Sequence, residues 1–555
     1  MKKYRWNISL LVIPVFLQLS SLAQPGNDAA IFQSMQGELQ RNKQQLQLPG
    51  YPAPFSLAYS LKVVSNFEVA GTLGAVTNSF VRDKGVVGEV NLLIGDFHRT
   101  NDFAYDGSGG VRTALPVDLD DNEIRRNYWM ATDMAYKMAL QQYVSKETYL
   151  KANPKSPEEE EMDDYSDQKL MDRIVAEVPE YQSNQKLWEE RVARLSAIFS
   201  KYPQLQNSSV VVSGINSTIY KVNSSGLKIK EPLSHATIAA VASVVGCDGV
   251  RFADSWSLTV ATPQDLPAPE ELEKRITAFA EGLMRLSQLE PIQEYYTGPV
   301  LFEDGACVQI FSDNLLKAGQ LLAWRKPEGK PNQITFESRM GRKIVDDRLT
   351  VKNYTGLNSY NGTALFGHYD VDAEGIAPEK ELVLIENGIL RRQLNGRIPT
   401  LKAPLSTGSS RFTLAADRVA FATAPATIHV ASENGLKAEK MKKALLKAAA
   451  DEKLKYAYIV RKVSGQASLI YRVDTKTGEE TQVRAGDFSG IDLTKLKMRE
   501  VSEDEQVSNY LFYSQIPSSL ICPKTILLEG VEMNVPKLRK EKKDALTFPL
   551  QRTDS

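Results

Sequence analysis

The stretch of sequence that decides the fold is residues 366–394, FGHYDVDAEGIAPEKELVLIENGILRRQL. In its second half, apolar runs at 382–385 and 389–390 stand on either side of Asn387-Gly388. Asn-Gly between two strand-like runs is typical of a tight β-hairpin, because both turn residues must adopt a positive φ. The stretch therefore predicts an antiparallel hairpin, and with it a sheet in the second half of the chain.

The first half of the same stretch carries a candidate metal site. On a strand, His368, Asp370 and Asp372 would lie on one face, since alternate side chains point the same way. An imidazole and two carboxylates suit zinc or another divalent cation. The segment also resembles the His-x-Asp-Val signature of dinuclear aminoacylase-type exopeptidases, although the further ligands of that family are not found. The alternative is a polar strand edge that faces solvent.

Outside this stretch, periodicity predicts helices and antiparallel strands. Helices are expected at 28–45, after a cap at Asp121 or Asn122, around Trp188, and at 437–453. Strands at 55–63, 72–81 and 86–94 predict a three-stranded meander whose second turn is Asp83-Lys84-Gly85, and 469–473 with 481–483 predicts another hairpin. Further short strands are expected at 210–212, 218–222 and 227–229. The expected fold class is α+β: a helix-covered antiparallel sheet followed by a mainly antiparallel β domain.

Composition shifts divide the chain into five predicted segments. They are a signal peptide at 1–23, an α+β domain at 24–262, a linker helix at 263–298, a β-rich domain at 299–536 and a polar tail at 537–555. The linker contains Leu272, Ile276, Phe279, Leu283 and Leu286, whose spacing is that of one amphipathic helix begun by proline.

The start of the chain has the pattern of an export signal. Basic residues at positions 2, 3 and 5 precede an apolar run at 10–19 and a small-x-small site that ends at Ala23. We therefore expect cleavage near Ala23 and a periplasmic or secreted protein with no membrane span in its mature form. Three cysteines so far apart (Cys247, Cys307 and Cys522) do not make a disulfide framework, and their small or apolar neighbours in sequence predict buried structural thiols.

Composition excludes several classes of function. The 555 residues contain 67 Lys and Arg and 68 Asp and Glu, so the chain is nearly neutral. Proteins that bind nucleic acids usually have a basic face, so we do not expect a nucleic-acid partner. The four histidines stand too far apart in sequence for the local pair that zinc peptidase helices use. The nucleophile elbow of hydrolases, the phosphate loop and the dinucleotide fingerprint are all missing from the sequence.

Segments in chain order carry a family resemblance. They are YTGPVL at 296–301, DAEG at 372–375 with LVLIENGIL at 382–390, and IPSSL at 516–520 with LLEGVEM at 527–533. They resemble the opening strand, the Asp-x-Glu-Gly strand with its hairpin, and the closing strands of the TldD/PmbA (TldD/TldE) family of metallopeptidase-related proteins. The resemblance spans residues 205–535 and implies a TldD/TldE-type fold with a peptidase-related function.

The same resemblance implies that this chain lacks the family's zinc site. In TldD-type subunits a His-Glu-x-x-x-His helix follows the Gly-Pro-Val strand and a distant Cys completes the site. Here residues 305–315 read GACVQIFSDNL, without His or Glu, so no catalytic or metal residue is carried over. Cys522 lies near the position of the third ligand. The implied protein is a TldE-type subunit without a cofactor, with zinc held by a TldD-type partner, or else a homodimer.

Three functional hypotheses remain open from the sequence. The first is a non-catalytic subunit of a peptidase assembly that acts on peptides or unfolded segments. The second is an active metallopeptidase that uses His368, Asp370 and Asp372. The third is a secreted peptide-binding module with no peptidase partner, which would add a peptide strand to a free sheet edge.

Overall fold

The computed structural model describes residues 25–104, 110–176, 184–328, 330, 335–465, 467–484 and 487–535. The predicted signal peptide and the predicted polar tail lie outside these residues. Within the described ranges, no helix combines the length and the apolar character that a membrane crossing requires.

The first half of the chain forms one sheet of long strands with helices packed on it. Its elements in chain order are α1 (Pro25–Gln45), β1 (Pro54–Thr72), β2 (Ala75–Ile94), β3 (Gly110–Ala114), α2 (Asp121–Ala152), α3 (Pro157–Glu160), β4 (Arg173–Ile174), α4 (Gln185–Ser196), β5 (Gln206–Asn223), β6 (Lys228–Val245), β7 (Arg251–Val260) and α5 (Pro269–Ser287). The strands lie in the order β3-β2-β1-β5-β6-β4, and β7 also pairs with β6. Apart from the parallel pair β4–β6, the neighbours are antiparallel.

The predicted three-stranded meander is wrong, because β1 and β2 form one long hairpin. The chain turns at Leu73 and Gly74, whose φ values are 51° and 90°. Asp83, Lys84 and Gly85 lie inside β2, where Gly85 pairs with Val64 next to a bulge in the register. A glycine within a strand often marks such a bulge rather than a turn.

The helices cover one face of this sheet and leave the other to the second half of the chain. Leu57, Tyr59 and Leu61 of β1 belong to the core under α1 and α2, and Phe67 and Val69 of the same strand belong to the core under α4 and α5. These are odd-numbered positions, so the even-numbered side chains of β1 point the opposite way. The candidate site lies on that opposite face.

Helix α2 begins one residue earlier than predicted. Its N-cap is Asp120, whose carboxylate accepts a hydrogen bond of 3.1 Å from the backbone N–H of Glu123. An aspartate at this position satisfies a helix N–H that otherwise has no partner. The predicted caps, Asp121 and Asn122, are the first two residues of the helix.

Among the described residues, the second half of the chain forms two large sheets around a central helix, together with two separate two-stranded sheets. Its elements are β8 (Tyr296–Glu303), α6 (Asp304–Leu315), β9 (Leu349–Tyr354), β10 (Ser359–Tyr360), β11 (Thr363–Ala364), β12 (Glu381–Glu386), β13 (Ile389–Leu390), β14 (Ser410–Phe412), β15 (Phe421–Thr423), β16 (Thr427–Ser432), α7 (Ala438–Asp451), β17 (Tyr456–Lys462), β18 (Leu469–Asp474), β19 (Glu480–Val483), β20 (Asp487–Ser489), β21 (Lys497–Val501), β22 (Glu505–Phe512), β23 (Ile516–Pro523) and β24 (Thr525–Asn534). In the two large sheets the strands lie in the orders β13-β12-β9-β16-β23-β22 and β19-β18-β17-β8-β24-β20, and β21 also pairs with β24. Ala306, Ile310 and Phe311 of α6 share one core with both sheets, while α7 packs on a separate core of the second sheet.

The predicted hairpins and helices of this half are confirmed. Asn387 and Gly388 have φ values of 47° and 75°, and Ile385 pairs with Leu390 across the turn. Strands β18 and β19 form the second predicted hairpin. The α+β class is therefore confirmed. Helix α5 packs in the same core as α4, and the predicted domain boundaries stay predictions.

Candidate functional site

Two adjoining cavities lie between the uncovered face of the first sheet and the loops of the second half. Their volumes are about 290 Å³ and about 410 Å³. They share a wall formed by Ala104, Glu374, Ile398 and Phe421. Volumes of this size are in the range of small-molecule and short-peptide pockets.

The first cavity is built on the sheet itself. Its floor is formed by Ser56 and Ala58 of β1, Asn91 and Leu93 of β2, and Lys221 of β5. These residues share the face that the helices leave uncovered, because side chains alternate along each strand. Polar side chains on this face of the strands therefore lie against the second half of the chain and not in the core under the helices.

Lys221 is the cationic group of this floor, and it is almost completely buried. Its side chain is 5% exposed, and its Nζ donates one hydrogen bond, 2.7 Å long, to the carbonyl oxygen of Ala373. The ammonium also lies 4.5 Å from the ring centroid of Phe421, a favourable cation–π distance. Burial lowers the pKa of Lys221. Among the described residues, it forms no ion pair.

Lys62 is a second buried lysine on the same face, and it has two hydrogen-bonding partners where Lys221 has one. Its Nζ donates to the carbonyl oxygens of Thr413 at 3.0 Å and Ala415 at 2.8 Å. Burial lowers its pKa to about 8. Lys62 therefore fastens the sheet to the second half of the chain and does not line either cavity.

Glu374 faces Lys221 from the second half of the chain, and its carboxylate is already held by three donors. Tyr165 donates its hydroxyl at 2.7 Å to one oxygen, and the other accepts the Ser410 hydroxyl and the backbone N–H of Arg397 at 3.2 Å. Burial raises the pKa of the Tyr165 phenol well above its ordinary value, so the phenol stays a donor to Glu374.

Arg397 lines the second cavity, next to the shared wall. Its guanidinium carbon lies 4.1 Å from the ring centroid of Tyr165. Its Nε and Nη2 donate to the carbonyl oxygen of Ser166 at 3.0 and 2.7 Å. The guanidinium of Arg397 therefore holds the loop that contains it against Tyr165 and Ser166 of the first half of the chain.

A buried ion-pair network supports the far side of the first cavity. Asp164 accepts from Lys146 Nζ at 2.6 Å, Arg325 Nη2 at 2.8 Å and the backbone N–H of Thr100 at 2.9 Å. The three charged side chains are at most 5% exposed. Lys146 comes from α2 and Arg325 from the second half of the chain, so the network joins the two halves.

The structure does not bring the predicted metal residues together. Residues 366–372 are not a strand, so the expectation of one shared face is wrong. His368 and Asp370 lie near the surface, with Nε2 and Oδ1 3.9 Å apart, and Asp370 also pairs with Arg173. Within the described part of the chain, no group of three or more His, Cys, Asp or Glu could hold a metal ion.

Asp372 organises a turn instead. Its carboxylate accepts backbone N–H groups from Glu374 and Ile376 at 2.9 Å and from Ser410 at 3.1 Å. The segment expected from the resemblance to be an Asp-x-Glu-Gly strand is therefore a carboxylate-centred turn. Burial, followed by the charge of Glu374, raises the pKa of Asp372 to about 7.

Helix α6 occupies the position where the resemblance implies a zinc helix, and its residues do not fit zinc. Cys307 is buried and donates its thiol to the carbonyl oxygen of Pro523 at 3.2 Å. Burial and a hydrogen bond with Cys522 raise the pKa of Cys307 well above its ordinary value. Zinc requires a thiolate, and this environment keeps the thiol protonated.

The cysteine prediction is correct for two thiols and wrong for the third. Cys307 and Cys522 are buried in the core around α6, whereas Cys247 is exposed. Cys247 follows the end of β6 in a turn, where its thiol lies 3.5 Å from the carbonyl oxygen of Leu289. The small residues that neighbour Cys247 in sequence did not indicate burial, because the chain has left the sheet at this point and forms an exposed turn.

The predicted site residues did not include Lys221, although the sequence carries a signal for it. The predicted strand 218–222 places this lysine between Tyr220 and Val222, which face the helical core. A lysine at such a position points to the opposite face, and the predicted strand at 55–63 holds Lys62 in the same way. Their different partners depend on segments more than 150 positions away, which the sequence pattern does not reveal.

Comparison with known proteins gives matches in structure only. No sequence model of a known protein family matches the chain, and no curated protein matches it. TldE from Thermococcus kodakarensis matches with a TM-score of 0.55 at 13% identity, over 90% of this chain and 99% of that chain. A provisionally assigned modulator of DNA gyrase from Bacteroides thetaiotaomicron has a TM-score of 0.55 at 12% identity, covering 92% and 99%. Another from Thermotoga maritima has 0.52 at 14% identity, covering 86% and 96%.

Proposed function

We propose that this chain is a TldE-type member of the TldD/TldE family and serves as a non-catalytic subunit of a peptidase assembly. The fold that it shares with TldE over 90% of its length supports this proposal. The observation that carries it is helix α6, which follows the opening strand β8 but contains neither the paired imidazoles nor the glutamate that zinc-dependent hydrolysis would need.

The cavities give the proposed subunit a place to hold substrate. The first cavity lies between the two halves of the chain and combines apolar walls such as Leu93 and Phe421 with a buried charge, Lys221. The second cavity adjoins it and is lined almost wholly by the second half. A mixed lining of this kind suits a short peptide or an unfolded segment, whose backbone is polar and whose side chains are often apolar. The subunit would present the peptide, and the partner would cleave it.

The partner in this proposal is a TldD-type homologue that carries His-Glu-x-x-x-His and binds the zinc, with a homodimer as the alternative assembly. The proposed compartment is the periplasm or the exterior of the cell. It rests on the signal-like sequence that ends near Ala23.

Copurification tests the proposal. The full-length chain is expressed together with a signal-bearing homologue that retains the zinc helix, and the complex is isolated through a tag on this chain alone. We expect a stable complex with zinc in proportion to the homologue. A chain that remains a monomer at micromolar concentrations in the presence of that homologue would contradict the proposal.

The same preparation separates the alternatives. Stoichiometric zinc or manganese in the chain alone, lost in His368→Ala, would favour an active metallopeptidase. Asp372 is already committed to three backbone N–H groups, so this site would need other ligands. Peptide binding with no turnover beside any homologue would favour a secreted peptide-binding module.

A further inference from the structure

Lys221 is a buried charge that uses only part of its hydrogen-bonding capacity within the described residues. An ammonium has three donors, and the described residues accept only one of them, through the carbonyl oxygen of Ala373. Its side chain is 95% buried and lines the first cavity. Buried charges are normally paired or fully hydrogen-bonded, because the loss of hydration is costly.

Three acidic side chains line this cavity, and each already has partners. Glu374 accepts from Tyr165, Ser410 and Arg397, Asp164 accepts from Lys146 and Arg325, and Asp102 accepts the backbone N–H of Ala104 at 3.1 Å. Glu374 and Asp372 attract the ammonium of Lys221 from a distance, but neither is within ion-pair distance of it. The ammonium therefore keeps donors that a bound anion could accept.

The surroundings of Lys221 define what kind of anion would fit. Leu93, Ile398 and Phe421 supply apolar surface in this cavity, and the ring of Phe421 lies beside the ammonium. A fully hydrated inorganic ion would leave that surface unused, whereas a carboxylate attached to an apolar side chain would contact both. The cavity of about 290 Å³ has room for a terminal residue, and the adjoining cavity of about 410 Å³ continues beyond the shared wall.

We propose that this cavity binds the C-terminal carboxylate of a peptide that ends in an apolar residue, with Lys221 as the cation that receives it. The inference rests on the proposed function and names the end of the peptide that the subunit holds. Charge-assisted hydrogen bonds between an ammonium and a carboxylate are stronger than those between neutral groups. The preceding residues of the peptide would extend toward Arg397.

Calorimetric titration of the full-length chain tests this assignment. The probes are N-acetyl-Ala-Leu with a free C-terminal carboxylate and the same dipeptide as its C-terminal amide. We expect the free acid to bind at least about tenfold more tightly than the amide, because the amide removes the negative charge. Lys221→Met should abolish this preference.

Lys62→Met is the matched control, because Lys62 is an equally buried lysine on the same sheet face but does not line the cavity. We expect it to keep the preference for the acid even if it lowers stability. Lys221→Arg, which keeps the charge, should retain part of the preference. If Lys221→Met does not fold, the acid-to-amide ratio of the unmodified chain and of Lys221→Arg still decides the question.

Each outcome has one meaning. Equal binding of acid and amide would overturn the carboxylate assignment and leave the proposed function standing. A preference that survives in Lys221→Met would overturn the role of Lys221. If neither dipeptide binds, the inference is overturned, and the copurification experiment decides the proposed function separately.

Discussion

Asp372 and Glu374 place two carboxyl groups in one buried turn, and this makes stability depend on pH. The pKa of Asp372 rises from the usual 3.8 to about 7 in the folded chain, because of burial and then the charge of Glu374. Between these values the folded state keeps a proton that the unfolded state has released. Stability due to this group is therefore highest at low pH and falls as the pH rises toward 7.

Asp372→Asn tests this dependence. We expect the contribution of Asp372 to the free energy of unfolding to fall between about pH 4 and pH 7 and to be constant above. Asp164 and other carboxyl groups whose pKa is lowered contribute with the opposite sign, so the test compares the variant with the unmodified chain. Relative to the unmodified chain, the free energy of unfolding of the variant should rise with pH across that window, whatever its absolute stability. Urea denaturation at several pH values measures the slope, and an unchanged slope in the variant would show that Asp372 is not the group responsible.

The three thiols should differ sharply in reactivity. Cys247 is exposed, whereas Cys307 and Cys522 are fully buried. Partial desolvation and a hydrogen bond with Glu290 raise the pKa of Cys247, so its alkylation should accelerate as the pH becomes alkaline. Iodoacetamide and mass spectrometry should find one modified cysteine in the native chain and none in Cys247→Ser. Rapid labelling of Cys307 would contradict the buried position of α6.

Two glycines in hairpin turns test how much packing around a turn contributes to the stability of a hairpin. Gly388 has a φ of 75°, and a Cβ at this position would lie 2.6 Å from the carbonyl oxygen of Val345. Gly362 has a φ of 80° in another hairpin, with nothing within 4 Å. Gly362→Ala should cost about 1–2 kcal/mol from backbone conformation alone, and Gly388→Ala should cost more. Equal free energies of unfolding for the two variants would contradict this packing.

The elements that sequence predicted well are those whose signals are local. Asn387-Gly388 specifies its own turn, and the apolar spacing of α4, α5 and α7 specifies their buried faces. The hairpin of β1 and β2 was missed because Asp83-Lys84-Gly85 consists of typical turn residues. In the structure these residues lie within β2, and the pairing of β2 with β1 keeps them extended. Leu73 and Gly74 make the true turn. Leucine carries no turn signal, and glycine without Asn, Asp or Gly before it is a weaker hairpin signal than Asn-Gly.

At the scale of the whole molecule, the two halves are joined by buried charges. Asp164 is shared by Lys146 of the first half and Arg325 of the second. Removing one partner of a buried ion pair costs about 3–5 kcal/mol, because the remaining charge stays buried. We expect Asp164→Ala to lower the free energy of unfolding by about that amount.

Asp133→Ala provides the control for that prediction. Asp133 pairs with Lys137 on the exposed surface of α2, where a salt bridge contributes about 0–1 kcal/mol. Denaturant titration of both variants compares them directly. Similar small losses in the two would show that the network around Asp164 does not hold the halves together.

The candidate site was only partly predictable because it is assembled from distant segments. Glu374 belongs to a recognisable motif, but its neighbours Tyr165 and Lys221 come from the first half of the chain. His368, Asp370 and Asp372 are close in sequence, yet the backbone turns between them and sends Asp372 into the interior. The sequence pattern pointed to residues of the right chemical type. Which of them lie together depends on how the two halves of the chain pack, and the pattern does not contain that information.

Turnover of an unstructured peptide tests the central claim most directly. The full-length chain, purified and supplied with zinc, is assayed on a fluorogenic peptide, alone and beside a homologue that carries the zinc helix. We predict no hydrolysis by this chain alone, and hydrolysis in the mixture that a chelator stops. Chelator-sensitive hydrolysis that comigrates with this chain alone would contradict the account.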